Sequence, residues 1–124
     1  GVSLAIKSLR PHCQIIGLVP QSNRWLAQVI SGKTIADALV PATPGDNTKV
    51  IVGKHVDQLV MVTDDEIRAA LKFTSEEQKL IVEPGAAISL APLLSGKVKP
   101  KHHHVVCLVT GGNVSLPRLT ELSS

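Results

Sequence analysis

A hydroxyl, two glycines and an amide follow an apolar run near the carboxyl end of the chain, as Thr110-Gly111-Gly112-Asn113. The run, residues 105–109, is apolar throughout and predicts a strand buried on both faces. Glycines let the backbone turn sharply and approach a ligand closely. Because open α/β sheets bind ligands at the carboxyl ends of their strands, the Thr110 hydroxyl lies where a ligand is expected. From these residues alone, a simple strand-terminating turn stays open as the alternative.

Other candidate chemistry has simpler explanations. The adjacent histidines His102–His104 point in different directions, whereas zinc ligands converge, so a solvated loop is expected and no metal site. The acids at 64–66 and 76–77 suit helix capping and a solvated helix face better than paired catalytic carboxylates. Neighbours such as His12 and Cys13 rarely face each other, which argues against a nucleophilic pair.

Composition narrows the class of protein. A chain of 124 residues fits one domain, and with 44% apolar but 2% aromatic residues its core must be aliphatic. The net charge of +3 is scattered without interleaved aromatic residues, which argues against nucleic-acid binding. No apolar run reaches about 18 residues, so no membrane span is predicted. Cys13 and Cys107 adjoin apolar runs and are predicted to be buried thiols in a reducing, cytoplasmic compartment.

Strand and helix signals alternate along the chain. Strands are predicted at 14–19, 59–62 and 105–109, and loops at 40–47 and 97–104. Helices are predicted over 1–10 and 22–30, after the capping residue Thr63, and between the interruption at 83–85 and Ser95-Gly96, while 49–55 fits either strand or helix. The alternation predicts an α/β fold, a mostly parallel sheet with helices on both faces. We expect one incomplete three-layer domain over residues 1–124.

Two local signals concern helix ends. Thr63-Asp64-Asp65-Glu66 is a capping box, in which Thr63 accepts from the Glu66 N–H and Glu66 reaches back to Thr63. The similar pattern at 74–77 predicts that the helix breaks or restarts there. Pro92, inside the next predicted helix, should kink it or cost about 3 kcal/mol.

Several segments in order resemble the serine/threonine dehydratase family, which includes serine racemases. These are pyridoxal-phosphate enzymes of the tryptophan-synthase-β fold type. The matching segments span nearly the whole chain: Ala5-Ile6-Lys7-Ser8-Leu9-Arg10-Pro11, Ile15-Ile16-Gly17, Thr34-Ile35-Ala36-Asp37, Val56-Asp57, Val62–Ile67, Lys79–Pro84, Leu93–Lys97 and Thr110–Asn113.

The resemblance implies a role for the residues after the last predicted strand. In this family a Ser or Thr hydroxyl at the position of Thr110 hydrogen-bonds the pyridine nitrogen of pyridoxal phosphate. Gly111 and Gly112 would then let the ring approach, Asn113 would help fix the turn, and Glu83 resembles the family's glutamate on the cofactor-facing side. The implied activity is that of a lyase of amino-acid metabolism, converting a small hydroxy amino acid to a 2-oxo acid and ammonia.

The resemblance also implies missing parts. No lysine here has the Ser-x-Lys-x-Arg-Gly context of the family's Schiff-base lysine, so this chain would not hold the cofactor covalently. The family's substrate-carboxylate loop and tetraglycine phosphate loop are absent as well. We therefore expect the carboxyl-terminal part of the family's large domain, with an exposed apolar face that pairs with the missing amino-terminal half or with a second copy.

Three residues depart from the family pattern. Val19 precedes Pro20 where many members carry an acid, and with Asn23 and Trp25 nearby no divalent cation site is expected. Ala38 stands where the family has glycine, and Pro92 stands where it has a helix former. These departures motivate an alternative, a non-catalytic dehydratase-like module for binding or oligomerisation.

Overall fold

The structure is a computed structural model that describes residues 1–21, 23–24, 29–30, 34–39, 44–101 and 104–124. Its helices are α1 (Val2–Leu9), α2 (Asp46–His55), α3 (Asp64–Glu76), α4 (Pro84–Ala87), α5 (Ala91–Leu94) and α6 (Leu116–Ser123). Its strands are β1 (Ile16–Pro20), β2 (Asn23–Arg24), β3 (Val29–Ile30) and β4 (Gln58–Val62), and a 3-10 turn covers Asp37–Leu39.

Strands β1 and β4 form a parallel pair, with Ile16 opposite Gln58 and Pro20 opposite Val62. Parallel strands need a long crossover connection, and here it contains α2. Gly17 permits the close packing of this pair, since a Cβ there would lie 2.6 Å from Leu59 Cδ2. Helices combined with a small parallel sheet confirm the predicted α/β fold class.

Helix α3 forms the centre of the core. The predicted capping box is present: the Glu66 N–H donates to Thr63 Oγ1 at 3.2 Å, and the Thr63 N–H donates to Glu66 Oε2 at 2.7 Å. Its predicted apolar stripe, Ile67, Ala70 and Leu71, is fully buried. Helices α4, α5 and α6 all pack against it. The buried cluster comprises Ala36, Val62, Ile67, Ala70, Leu71, Val82, Ala86, Ala87, Ile88, Ala91, Leu119 and Leu122.

The predicted Ala- and Leu-rich helix is divided into α4 and α5. Pro92 lies in the first turn of α5, where its missing N–H breaks no intrahelical hydrogen bond. The predicted end at Ser95-Gly96 is confirmed, because Ser95 is the C-cap and Gly96 has φ +75°. The proline is thus accommodated by starting a new helix.

Two predicted helix features are wrong. In place of a helix over 22–30, Asn23-Arg24 pairs antiparallel with Val29-Ile30. Ser22 and Trp25 lie outside the described residues, and β-branched Val29 and Ile30 suit a strand. The helix also does not break at the second capping-box pattern: Thr74 is buried inside α3 and donates its hydroxyl to the Leu71 carbonyl at 2.9 Å.

Other boundaries differ from the sequence patterns. The ambiguous 49–55 segment is helical within α2, which already begins at Asp46, inside the predicted 40–47 loop. Residues 40–43 of that loop lie outside the part that the structure describes. Helix α6 was not predicted; Ser115 caps it, accepting from the Arg118 N–H at 3.4 Å. Among the helices described, none is long and apolar enough to cross a bilayer.

Candidate functional site

The segment leading to Thr110 is not a buried strand. Residues 104–110 belong to no strand of the described sheets, and Val106 is 86% exposed while Val105 and Leu108 are about half exposed. The prediction of a strand buried on both faces is therefore wrong for this chain as it stands. The physical reason is that the described parallel sheet has two strands, and neither pairs with this segment.

Thr110 is exposed, as a ligand-contacting hydroxyl requires. The structure gives its Oγ1 no hydrogen-bond partner among the described residues. Gly111, Gly112 and Asn113 are exposed as well, so the predicted turn presents a hydroxyl and bare backbone on one surface. The turn is tight, because the Val114 N–H donates to the Gly112 carbonyl at 2.8 Å.

Gly111 meets a steric requirement of this turn. Its φ is +119°, a conformation that residues with a side chain rarely adopt. A Cβ at Gly111 would lie 2.7 Å from both Cδ and Oε1 of Glu83. A Cβ at Gly112 would be less crowded, at 3.3 Å from the Ile81 carbonyl oxygen. The first glycine thus permits close contact with Glu83 and the second a close approach to residue 81.

Glu83 is joined to the turn by two hydrogen bonds. Its N–H donates to the Gly111 carbonyl at 3.2 Å, and its Oε2 accepts the Asn113 N–H at 3.0 Å. The structure therefore brings Glu83 into contact with the Gly111–Asn113 turn, although Glu83 and Gly111 are 28 positions apart in the sequence. Thr110 directly precedes this turn, and the roles of all these residues toward a cofactor stay predictions.

A second segment that resembles the family, Thr34–Asp37, is held by a contact that the sequence pattern did not predict. Thr34 Oγ1 donates to Asp64 Oδ1, and the Ile35 N–H donates to Asp64 Oδ2 at 3.1 Å. We expected the acids of this first turn to serve capping and a solvated face, yet Asp64 is half-buried and binds this segment. The segment continues into Ala38 and Leu39, whose side chains would contact a Cβ at Gly85 at 3.6 and 3.7 Å.

One partly exposed ion pair lies at the edge of the core, between Lys97 and the half-buried Glu66. Lys97 Nζ donates to Glu66 Oε2 at 2.7 Å and to the Met61 carbonyl at 3.1 Å. Burial acts to raise the pKa of Glu66, but the hydrogen bonds from Lys97 and the Thr63 N–H outweigh it, and the pKa lies below its ordinary value. A second carboxylate, Asp57, has a lowered pKa because it accepts from Lys7 Nζ and the Ile15 N–H.

Metal-ligating and thiol groups are dispersed. Across the described ranges no three His, Cys, Asp or Glu side chains converge on a point. Val19 is 7% exposed, whereas Trp25, His102 and His103 lie outside these ranges, so the absence of a cation site stays a prediction. Both cysteines are free, but the predicted burial is wrong for Cys13, which is exposed at the end of the turn after α1.

Cys107 is half-buried, and desolvation raises the pKa of its thiol. That shift disfavours the reactive thiolate and agrees with a packing role for this residue. The reducing compartment inferred from the two thiols stays a prediction.

Sequence and structure comparisons identify similar proteins. The sequence model of the family described as pyridoxal-phosphate dependent enzyme matches residues 1–111. The chain is 34% identical to the L-threonine ammonia-lyase of Thermotoga maritima over 125 residues, covering 94% of this chain and 31% of that protein. It is 34% identical over 132 residues to the catabolic L-threonine dehydratase TdcB of Staphylococcus aureus, covering 97% of this chain and 38% of that protein.

A solved structure gives the same result. The structure of maize serine racemase superposes with a TM-score of 0.81 at 35% sequence identity, covering 97% of this chain and 40% of that one. The predicted resemblance to threonine dehydratases and serine racemases is thereby confirmed. The chain spans about a third of the length of the curated relatives named here.

Proposed function

Since the chain belongs to the pyridoxal-phosphate dependent enzyme family, we propose that it forms one wall of the cofactor site of a serine/threonine dehydratase-like enzyme. In this proposal residues 1–124 are a single domain, the carboxyl-terminal part of the family's large domain. The observation that carries it is the exposed Thr110 hydroxyl, without a partner among the described residues, beside an exposed turn of bare backbone.

The residues present fit the cofactor. A neutral hydroxyl can donate to the pyridine nitrogen without holding that nitrogen protonated, as a carboxylate partner would. Gly111 and Gly112 place no side chain between Thr110 and an approaching ring. Bound pyridoxal phosphate supplies an electron sink for loss of the α-proton and β-hydroxyl of serine or threonine. Thr110 would hold the ring at its nitrogen and moderate that electron withdrawal.

The covalent attachment of the cofactor must come from elsewhere. None of the nine lysines of this chain has the sequence context that the family uses for that attachment. Two of them, Lys7 and Lys97, are bound to Asp57 and Glu66, at N–O distances of 2.7 Å in each pair. We therefore propose that a second polypeptide segment, the family's amino-terminal half, supplies the reacting amine.

An exposed apolar segment supports this need for a partner. Val105, Val106 and Leu108 are at least half exposed, and the backbone of residues 104–110 makes no hydrogen bond within the described parts of the chain. Exposed apolar residues and unpaired strand backbone favour pairing with another chain. The proposed partner is the missing half, and a second copy of this chain is the competing occupant. A cytoplasmic location belongs to the same proposal and is supported by the free thiols.

A chimera tests the proposed activity. This chain would replace the matching 125 residues of the Thermotoga maritima enzyme, and 2-oxo acid formation from L-threonine and L-serine would be measured. Thr110→Val removes the hydroxyl at nearly constant volume, while Thr110→Ser keeps it and serves as the matched control. We expect Thr110→Val to lower activity roughly tenfold, the worth of one hydrogen bond, relative to Thr110→Ser. Equal activities of the two variants in a folded chimera would refute the role of the hydroxyl.

The second candidate function is a non-catalytic module for binding or oligomerisation. It is motivated by Val19 and Ala38, which depart from the acid and the glycine of the family pattern that the sequence resembles. Calorimetric titration of the chain with pyridoxal phosphate discriminates between the candidates. Saturable binding that Thr110→Ala abolishes argues against the module, whereas no binding, alone or with the amino-terminal half added, supports it.

A further inference from the structure

Glu83 links the glycine turn to the core of the domain. On one side it donates its N–H to the Gly111 carbonyl and accepts the Asn113 N–H at Oε2. On the other side its carbonyl accepts from the N–H groups of Ala86 and Ala87 at 3.0 and 3.1 Å, at the start of α4. The same residue thus belongs to two hydrogen-bonded units.

The core side of this link is firmly packed. The neighbours Val82 and Pro84 are buried, as are Ala86 and Ala87 within α4. Helix α4 contacts α3, the central helix of the buried cluster. Because packed interiors resist displacement, the backbone of Glu83 is held in place from this side.

The carboxylate faces the turn with both oxygens. Oε2 accepts the Asn113 N–H, and Oε1 lies where a Cβ on Gly111 would approach to 2.7 Å. Oε1 also lies 3.7 Å from the position of a Cβ on Gly85. The Glu83 carboxylate therefore lies against the backbone of both Gly111 and Gly85, and its Oε2 is hydrogen-bonded to the turn.

We propose that Glu83 is a positioning residue, which fixes the Gly111–Asn113 turn and through it the direction in which Thr110 presents its hydroxyl. The inference rests on the proposed function for Thr110. It differs from a direct contact between Glu83 and the cofactor, because the hydrogen-bond acceptor, and not the negative charge near the ring, is what the site needs. An amide that keeps the acceptor should then replace the carboxylate, and a methyl group should not.

Amide hydrogen exchange and pyridoxal phosphate titration of the full chain test this inference together. Three variants are needed: Glu83→Gln keeps an acceptor, Glu83→Ala removes it, and Glu77→Ala removes an exposed carboxylate that has no side-chain partner among the described residues. Exchange is followed at the Asn113 N–H without cofactor, and the dissociation constant of pyridoxal phosphate is measured by calorimetry. Thermal melts show whether each variant is folded.

The expected pattern is specific. Glu83→Ala should speed exchange at Asn113 roughly tenfold or more, since a charge-assisted hydrogen bond is lost, and should weaken cofactor binding about as much as Thr110→Val. Glu83→Gln should retain most of the protection at Asn113 and most of the cofactor affinity, and Glu77→Ala should change neither quantity. A folded Glu83→Gln variant is sufficient for the test if Glu83→Ala does not fold.

Two results would overturn the inference. One is a change in exchange at Asn113 that does not follow the acceptor: Glu83→Ala exchanges at the wild-type rate, or Glu83→Gln exchanges as fast as Glu83→Ala. The other is weakened cofactor binding in Glu83→Gln with Asn113 still protected, which would mean that the charge acts directly on the cofactor. If the wild-type chain binds no pyridoxal phosphate with or without the amino-terminal half, the proposed function fails separately, while exchange at Asn113 still reports on the turn.

Discussion

Replacing Gly111 by alanine should destabilise the chain more than the same replacement at Gly96. Both glycines have positive φ, +119° and +75°, so both variants strain the backbone. They differ in their surroundings: a Cβ at Gly96 meets nothing within 4 Å, whereas one at Gly111 lies 2.7 Å from the Glu83 carboxylate. Gly96 is therefore the matched control for the effect of Glu83.

The magnitude follows from these contacts. Alanine in the left-handed region costs about 1–2 kcal/mol, the expected effect at Gly96, and about 1–3 kcal/mol in the less populated region of Gly111. The Glu83 side chain can move away from the new methyl group only by releasing the Asn113 N–H. Since Asn113 is exposed and water can replace the carboxylate, that loss is about 1 kcal/mol. The total for Gly111→Ala is roughly 2–4 kcal/mol.

Urea denaturation followed by circular dichroism measures both variants, with Glu83→Ala and the double variant completing a cycle. Because Glu83→Ala removes the crowding group, the effects of the two single changes should be less than additive, with a coupling of about 1 kcal/mol. Equal destabilisation by Gly111→Ala and Gly96→Ala, with additive behaviour in the cycle, would contradict the contact between Gly111 and Glu83. Cofactor titration of Gly111→Ala then shows whether the displaced turn also weakens binding.

Three further predictions address the fold. Thr63→Ala should lower the free energy of unfolding by about 1 kcal/mol through loss of the capping box, whereas Thr63→Ser should retain most of it, as urea denaturation would show. Because the folded-state pKa of Glu66 is lowered, its contribution is complete above the ordinary pKa of 4.5 and is lost as the pH falls through the folded value. Lys97→Met should raise that pKa in an NMR titration, and Lys72→Met should leave it unchanged. Leu71→Ala should cost about 2–5 kcal/mol in a core position that is fully buried, against at most about 0.5 kcal/mol for Leu116→Ala, which is 64% exposed.

Local signals in the sequence predicted local structure well. The capping box at Thr63 and the stripe of Ile67, Ala70 and Leu71 are both confirmed, because each depends on residues within two helical turns. The helix predicted over 22–30 is wrong, since its only start signal was a capping residue, and the short β-branched pair at its end joined a strand. At Thr74 the capping pattern is present, but burial within α3 keeps the helix continuous.

The residues proposed for the site follow from the sequence, whereas the contacts between them do not. Thr110–Asn113 was identified by an abrupt change from apolar to small and polar residues, and that change is local. The contact of Glu83 with Gly111 and Asn113 crosses 28 to 30 residues of sequence, and the contact of Asp64 with Thr34 crosses 30. Neither has a spacing signal, because each contact joins segments that are distant in sequence and meet only in the folded chain.

The wrong prediction for residues 105–109 is informative about the proposed assembly. An unbroken apolar run is typical of a strand that is buried on both faces. Here Val106 is 86% exposed and the backbone around it is unpaired within the described residues. Within this chain Val109 packs against the buried cluster, but Val105, Val106 and Leu108 remain at least half exposed, and exposed apolar residues favour association. The apolar pattern therefore supports the proposed partner, a second polypeptide segment that would cover this run beside Thr110.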